Sequence, residues 1–281
     1  MFDIFKYTIP LDDWIALAVE WLVGNFRPQF QAIKVPIELM LNAIDDLLLW
    51  LPEEIVLLAF LVIGWKTAGW KVGIFSIVSM AFIGFTGLWD ATMTTLAMVI
   101  SAVVVDVLIG VPLGILSSRS NRFEAILRPV LDAMQTTPAF VYLVPVVMLF
   151  SIGTVAGVIA TIIFSMPPII RLTNLGIRQV HPELIEATYA FGATKRQVLW
   201  KVQIPLALTT IMAGLNQTIM LSLSMVVIAS LIGAGGLGVP VFEGLNSLQV
   251  GLAGIGGLGI VLMAMVLDRI TQALGTSRED Q

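Results

Sequence analysis

Three uninterrupted apolar runs constrain this chain more than any other feature of its sequence. They extend from Thr92 to Ser117, from Leu206 to Ile232 and from Val250 to Leu267, and Asp106 is the only charged residue in them. About 20 helical residues cross a hydrocarbon core of about 30 Å. Backbone groups in lipid must be hydrogen-bonded internally, and runs this long favour helices. The chain is therefore predicted to be an all-α, multi-span membrane protein.

The composition supports this class and excludes several chemistries. Hydrophobic residues make up 58% of the 281 positions and charged residues 12%, whereas a soluble domain is nearer 25% charged. Cysteine is absent, so disulfides, thiolate metal sites and cysteine nucleophiles are excluded. The single histidine, His181, precedes Pro182 and is interpreted as a turn residue. We therefore predict no catalytic residue and no metal site, and the first 30 residues do not resemble a signal peptide.

Seven membrane spans are predicted in all. Glu54 to Trp65 and Trp70 to Leu88 form an additional pair within residues 53–88, although the first is short enough to be a re-entrant piece. Pro138 to Ile152 and Thr154 to Ile170 are shorter spans that contain proline and glycine. Ser118 to Leu131 is interpreted as a polar loop between spans.

The first 52 residues are predicted to be amphipathic rather than membrane-spanning. Leu11 to Phe26 and Pro36 to Trp50 each place apolar residues on one helical face and acids on another. Such helices lie at a membrane interface or pack on a neighbour.

Charge predicts the orientation. If residues 171–205 are cytoplasmic, the inside segments hold twelve of the fifteen basic residues. Residues 1–52 then lie outside and hold three, as the positive-inside rule requires. The N-terminus is predicted outside and the C-terminus, with a cytoplasmic tail at 273–281, inside.

The segment from His181 to Pro205 is the one long polar, amphipathic interruption in the second half of the chain. Pro182 suits the first turn of a helix, and Gly192 suits its end. Thr194 and Gln197 form a capping-box pattern that begins a second helix, which Pro205 is expected to end. The segment is either a surface hairpin between two spans or a knob that docks on a soluble partner.

Two glycine runs, at 233–238 and 254–259, satisfy G-x-G-x-x-G but follow no predicted strand. A dinucleotide site is therefore rejected in favour of close helix packing or a flexible turn. No Gly-Lys dipeptide occurs anywhere, so the chain has no Walker A loop. If ATP drives this protein, another chain binds it.

Several polar residues at membrane depth are candidates for a translocation pathway. Asp106 is costly in lipid unless it is paired, hydrated or protonated. It is either a pathway or proton-site residue or a carboxylate held by a neighbouring helix. The other candidates, for which hydrogen-bonded helix packing is the alternative, occupy two segments: Gln135, Thr136, Thr137, Pro138, Phe140 and Tyr142; and Asn216, Gln217, Ser222 and Ser224. Aromatic faces hold quaternary ammonium groups well, although here they could equally be packing.

The polar hairpin resembles a known motif. Glu186-Ala187-Thr188, Gly192 and Val202-Gln203-Ile204-Pro205 match the spacing of the EAA loop of ABC-importer permeases, with Thr188, Val202 and Ile204 as conservative departures. In that family the loop carries a coupling helix that sits on the ATPase subunit. The resemblance implies coupling roles for Glu186, Ala187, Thr188, Ala190, Gly192, Ala193 and Lys195.

Residues 89–272 resemble permeases of glycine betaine and proline betaine importers, most closely in 131–145, 164–180 and 216–238. The resemblance implies a type I importer permease fold, with five core spans after about two added ones, in a bacterial inner membrane. It implies a homodimer, two cytoplasmic ATPase subunits that bind ATP and Mg, and an extracytoplasmic substrate-binding protein. This chain would bind no cofactor and no nucleic acid.

The function expected from this resemblance is inward transport of an osmoprotectant in osmoregulation, by alternating access that the ATPase drives through the coupling loop. Two alternatives come from other classes. One is a proton-coupled secondary transporter that uses Asp106, and the other is a scaffold or channel without a transport cycle. No inverted repeat is evident, which counts against the secondary transporter.

Overall fold

The computed structural model describes residues 10–276, and every regular element in that range is helical. The helices are α1 (Leu11–Trp50), α2 (Glu53–Ala68), α3 (Trp70–Phe85), α4 (Trp89–Arg119), α5 (Asn121–Thr136), α6 (Ala139–Phe150), α7 (Thr154–Arg178), α8 (Pro182–Ala190), α9 (Lys195–Val198), α10 (Ile204–Ala229), α11 (Gly238–Asn246) and α12 (Val250–Thr276). The all-α prediction is confirmed. Residues 1–9 of the predicted N-terminal region and residues 277–281 of the predicted tail lie outside the described residues.

Four helical stretches are long and apolar enough to cross a membrane, namely α4, α7, Lys195–Ile232 and α12. Two further pairs of helices are long and apolar enough only when taken together, and each pair is sharply bent. Helices α1 and α2 meet at 105°, and α5 and α6 meet at 100°. By length and composition, the described residues hold four spans, or up to six if each bent pair is one span, compared with the seven predicted. The apolar helix α3 has only 16 residues and is the predicted span that this count leaves out. The predicted span at 138–152 is too short by itself, because α6 has only 12 residues, about 18 Å of helix, and it qualifies only together with α5.

Helices α4 and α7 run parallel at the centre of the molecule. Added Cβ atoms at Gly110 and Gly114 would lie 2.5 Å from the Ile169 and Thr173 side chains, and these pairs advance together along both helices. Glycines at such positions let two backbones approach closely. Because dispersion contacts fall off steeply with separation, this close approach makes the pair a tightly packed unit.

Helix α10 lies antiparallel to α7. A Cβ at Gly157 would contact Ala229 near the far end of α10, whereas a Cβ at Gly176 would contact Ala207 near its start. Small residues thus hold α4, α7 and α10 together as one bundle. Buried methionines and branched aliphatic side chains fill the space between this bundle and the helices around it.

Residues 118–131 were predicted to be a loop, and this is wrong because most of them belong to α5. Ser120 caps the helix by accepting a hydrogen bond from the Phe123 N–H. The segment is charged on one side, but Leu127 and Leu131 pack against Ile170 of α7 and its neighbours. That apolar stripe, together with the cap, makes an amphipathic helix of a stretch whose charge suggested a loop.

The two amphipathic helices predicted within residues 1–52 form one helix, α1, which contains Pro28 and Pro36. Its inner face, formed by Phe30, Ile37, Leu41, Ile44 and Leu48, keeps helical spacing across Pro36 and packs on the core. Burial of this face offsets the hydrogen bond that each proline removes. Of the two predicted locations, packing on neighbouring helices is therefore observed for the second half of α1.

The glycine run at 233–238 is a turn with close packing, as the sequence analysis favoured. Gly233, Gly235 and Gly236 have positive φ angles. The Leu237 N–H donates to Thr95 Oγ1 over 2.8 Å, which ties the turn to the start of α4. The stretch that follows is the short helix α11 rather than an irregular link.

Candidate functional site

The polar hairpin, residues 181–205, connects the end of α7 to the start of α10. Pro182 occupies the first turn of α8, and the helix ends at Ala190. Gly192 takes a φ of 82°, a conformation that costs other residues free energy. The Gln197 N–H then donates to Thr194 Oγ1, and the Thr194 N–H donates to Gln197 Oε1 over 2.8 Å. The predicted glycine turn and capping box are both present.

Pro205 does not end the second helix, contrary to the sequence prediction. The helix continues from α9 through a π turn at Leu199–Gln203 into α10, where Pro205 lies in the first turn. The Ile204 N–H bonds to the Leu199 carbonyl, five residues back. This wider turn accommodates the proline ring, which would clash in a regular α-helical interior. The hairpin is therefore continuous with a membrane-spanning helix.

The base of the hairpin, at Val198 and Leu199, is buried, whereas its tip, residues 182–195, contains no buried residue. Val198 and Leu199 are buried, and Leu199 packs in a cluster with Ile177 and Ile211. In contrast, no residue of α8 is buried, and Phe191 is 93% exposed. An apolar tip on a rigid base is typical of a surface that another protein covers.

The predicted coupling residues all lie on this tip. Glu186, Ala187, Ala190, Gly192 and Lys195 are exposed, whereas Thr188 and Ala193 are half-buried. Thr188 donates its hydroxyl to the Leu184 carbonyl over 2.6 Å, and its own carbonyl accepts from the Ala193 N–H. The structure thus brings these residues together on one hairpin, and their coupling role stays a prediction.

A cavity of about 260 Å³ lies between the hairpin and the end of α7. Glu186 and Ile185 of α8 line it from one side, and Arg178 and Ile177 of α7 from the other. Arg178 donates to the Ser117 carbonyl of α4 and forms a 3.0 Å ion pair with Glu124 of α5. The end of α7 therefore connects the hairpin to both α4 and α5.

A line of polar contacts joins α5 to α7, and sequence reasoning did not identify it. Arg171 pairs with Asp132 at 2.6 Å, and Asn174 donates to Glu124 over 3.1 Å. Arg171, Asn174 and Arg178 recur at helical spacing on one face of α7, which is the only signal the sequence offered.

The break between α5 and α6 contains several of the predicted pathway residues. Pro138 lacks an N–H and so cannot bond to the Met134 carbonyl four residues back. The Tyr142 hydroxyl donates to that carbonyl instead, over 2.6 Å. Thr137 donates its hydroxyl to the Ala133 carbonyl, and Thr136 to the Asp132 carbonyl. Three predicted pathway residues thus satisfy the last carbonyls of α5.

The remaining candidates of this segment are exposed. Gln135 lies on the outer side of α5, and Phe140 is 58% exposed at the start of α6. Both face away from the described helices. A pathway role for them stays a prediction.

Asp106 is completely buried between α4 and α7. Ser165 donates its hydroxyl to Asp106 Oδ2 over 2.6 Å. The described chain offers no partner for the other oxygen. A carboxylate held by a neighbouring helix, one of the two alternatives from the sequence, is the arrangement observed.

The four candidates on α10 separate into two groups. Ser222 is fully buried and donates to the Thr218 carbonyl, and Ser224 is exposed and donates to the Met220 carbonyl. Asn216 and Gln217 line a cavity between α10 and α12. Asp268 and Thr271 of α12 bond to Asn216. The sequence analysis missed both, although Asp268 is an acid at the end of an apolar run.

The described residues contain no group of three or more His, Asp or Glu side chains placed to hold a metal ion. The site consists instead of an exposed hairpin, a broken helix and polar cavities between helices.

Comparisons with known proteins agree with this description. Residues 110–278 match the family described as "Binding-protein-dependent transport system inner membrane component". The chain is 55% identical to the glycine betaine/proline betaine transport system permease protein ProW of Escherichia coli K12, over 96% of this chain and 76% of that protein. It is 43% identical to the glycine betaine transport system permease protein OpuAB of Bacillus subtilis 168, over 97% of each.

The fold is also found among solved structures. A chain of the methionine ABC transporter MetNI, in inward-facing conformations, matches with a TM-score of 0.57 at 22% identity. The match covers 70% of this chain and 97% of that one. The predicted type I importer permease fold is therefore confirmed. The chain belongs to the family of binding-protein-dependent transport system inner membrane components, as the non-catalytic permease subunit of a transporter.

Proposed function

We propose that this chain is the permease of an ATP-driven importer for glycine betaine, proline betaine or a related quaternary amine. One structural observation carries the proposal. The hairpin at 181–205 exposes apolar side chains such as Phe191, and its second helix continues through the π turn into α10. A force on the tip would therefore move a membrane-spanning helix.

The force would come from another chain, because this sequence lacks a Walker A loop. We expect two ATPase subunits, each of which binds ATP and Mg, to bind the hairpins of two permease copies. A pair of copies related by twofold symmetry is the simplest way to enclose a pathway. To change the ratio of inward-open to outward-open molecules from 99:1 to 1:99, ATP must favour the outward-open state by about 5.5 kcal/mol.

The solute class is inferred from the relatives. Besides the two proteins above, a Listeria monocytogenes glycine betaine/carnitine permease, GbuB, is 44% identical over 98% of each chain. All three names specify quaternary ammonium compounds. We expect an extracytoplasmic binding protein to deliver the solute and to set most of the selectivity.

Charge supports a cytoplasmic location for the hairpin. Helix α4 ends at Arg119, α7 ends near Arg178, and α9 begins at Lys195. Because α4 and α7 are parallel, these basic residues lie on one side of the molecule, as expected of a cytoplasmic side. Phe30 of α1 contacts Phe150, the last residue of α6, with ring centroids 5.6 Å apart. This end of α6 is opposite to the hairpin side. This arrangement supports an N-terminal region outside the cytoplasmic membrane and a C-terminus inside.

Because the chain has no cysteine, single-cysteine labelling can test the orientation. Thr194→Cys should react with an impermeant maleimide only in inside-out vesicles, and Asn25→Cys only in intact spheroplasts. The opposite pattern would reverse the proposed topology.

Gly192→Pro tests the coupling role of the hairpin. Proline fixes φ near −65°, which is incompatible with the φ of 82° observed here. We expect uptake of radiolabelled betaine to be lost while the protein remains in the membrane. Solute-stimulated ATP hydrolysis at the normal rate in this variant would reject the role.

Co-purification and uptake together test the whole proposal. The permease should bring down an ATPase in near-equal amount, and proteoliposomes with the binding protein should take up betaine only when ATP is present. The proton-coupled alternative predicts uptake that an uncoupler abolishes and that needs no ATPase.

A further inference from the structure

We propose that the cavity between α10 and α12 is a transient binding site for a small solute with a positively charged head, and that Asp268 supplies the counter-charge. This inference rests on the proposed import function and deepens it. It names the residues of this chain that the solute meets on the cytoplasmic half of its path.

The cavity has a volume of about 340 Å³, and five of its eight lining residues are polar, although most of the lining surface is apolar. Thr209, Asn216 and Gln217 of α10 face Thr271 and Gln272 of α12 across it. Uncharged polar groups on membrane-spanning helices persist where they face protein or water rather than lipid. The five polar side chains therefore offer hydrogen-bonding partners to a solute in the cavity.

Asp268 lies directly behind this lining. Asn216 Nδ2 donates to Asp268 Oδ1 over 2.9 Å, and Gln272 Nε2 donates to the same oxygen over 2.7 Å. Thr271 in turn donates its hydroxyl to Asn216 Oδ1. The carboxylate thus fixes two of the three amides that line the cavity, and its Oδ2 accepts no hydrogen bond from the described residues.

The charge of Asp268 is not neutralised within the described chain. The three ion pairs found there involve other acids, namely Glu38, Asp132 and Glu124. Arg269 follows in the sequence, but its side chain is exposed. An acid in a membrane-spanning helix without a basic partner creates a negative potential that attracts cations.

The site is built for weak binding. The lining residues include no aromatic side chain, so the cage that holds a quaternary ammonium tightly is missing. The attraction comes from one half-buried carboxylate and from amide and hydroxyl dipoles. A transport site must release its solute, and weak binding permits that.

The cavity also lies at the proposed cytoplasmic end. Thr209 is in the second turn of α10, and Thr271 is in the last two turns of α12. Since α10 continues directly into the hairpin, a displacement of the hairpin would alter the width of this cavity.

Saturation-transfer difference NMR on the purified permease–ATPase complex tests the site without the binding protein. We expect the N-methyl signal of glycine betaine to be enhanced by the wild-type complex and choline to compete. Asp268→Asn keeps an oxygen for both amides but removes the charge, and it should reduce the signal about fivefold or more. Glu243→Gln, which neutralises an exposed acid of α11, is the matched control and should leave the signal unchanged.

A second variant removes a lining amide without touching the contacts of Asp268. Gln217→Met is nearly isosteric and should reduce betaine moved per ATP hydrolysed several-fold in proteoliposomes, where receptor-stimulated hydrolysis is measured alongside uptake. If Asp268 only ties α10 to α12, both quantities should fall together in Asp268→Asn and Gln217→Met should behave as wild type.

The outcomes separate this inference from the proposed function. Wild-type proteoliposomes that fail to import betaine with ATP and the binding protein would refute the proposed function. Import at the normal rate with no NMR signal, or with both variants unchanged, would refute the binding site alone.

Discussion

The bundle of α4, α7 and α10 and the broken helix α5–α6 are held in place by different forces. In the bundle, glycines bring helix backbones together, and an added Cβ at Gly114 would lie 2.8 Å from the Ile170 carbonyl oxygen. Helix α5 is held by ion pairs at 2.6 and 3.0 Å, whose side chains are a third to a half exposed, together with the apolar contacts of Leu127 and Leu131. Close packing is sensitive to any added atom, whereas partly exposed ion pairs contribute little free energy.

We expect this difference to give the two regions different mechanical roles. Because both α7 and α10 lead directly into the hairpin, the bundle should move with the hairpin as one unit. The contact of α5 with α7 combines partly exposed ion pairs with the packing of Leu127 and Leu131, and we expect it to loosen first.

Gly114→Leu should have the largest effect. The new side chain has no space against Thr173 and the Ile170 carbonyl, and such overpacking costs about 1–3 kcal/mol or more. We expect little folded protein in the membrane, measured by size-exclusion chromatography of the detergent extract. Gly24→Leu is the control, since no atom lies within 4 Å of a Cβ there. A normal yield of Gly114→Leu would mean that α4 and α7 are not closely packed.

Arg178→Ala should release α5 without unfolding the bundle. It removes contacts to Glu124, Asn174 and the Ser117 carbonyl, worth about 1–2 kcal/mol because the side chain is partly exposed. Hydrogen exchange should accelerate in residues 121–136 and stay unchanged in α7. Arg122→Ala, which lacks an ion pair among the described residues, should have no effect. Equal protection of α5 in both variants would contradict the comparison.

Tyr142→Phe tests the break itself. Loss of the hydroxyl leaves the Met134 carbonyl without its donor, at a cost of about 0.5–1.5 kcal/mol. We expect faster hydrogen exchange at residues 134–142 and a small decrease in the midpoint of thermal unfolding. Tyr189→Phe on the exposed hairpin tip serves as the control. Identical exchange in wild type and Tyr142→Phe would show that the hydroxyl does not stabilise the break.

Exchanging the charges of Asp132 and Arg171 should have the smallest effect. Each single reversal should destabilise the α5–α7 contact, and the double variant Asp132→Arg, Arg171→Asp should recover most of the loss. A coupling free energy of about 0.2–1 kcal/mol is expected for so exposed a pair. A double-mutant cycle on thermal unfolding of the purified protein measures it, and additive effects would indicate no interaction.

Local features of the hairpin could be predicted because their partners are close in sequence. The capping box joins Thr194 to Gln197, and Gly192 satisfies a backbone requirement of its own turn. The charged stretch at 118–131 was misread because its helical stripe gains stability only against α7. The span count differs because α3, which was predicted to be a span of its own, has only 16 residues, about 24 Å of helix.

The sequence by itself determined that this chain crosses a membrane in helices, because runs of apolar residues leave the backbone no other way to satisfy its hydrogen bonds. It also determined the hairpin, whose caps and turn are local. The tertiary structure alone decided which polar side chains meet. Asn216 and Asp268 are 52 residues apart, and Asn174 and Glu124 are 50 apart. Such pairs depend on the register in which helices pack, and that register is a property of the whole bundle.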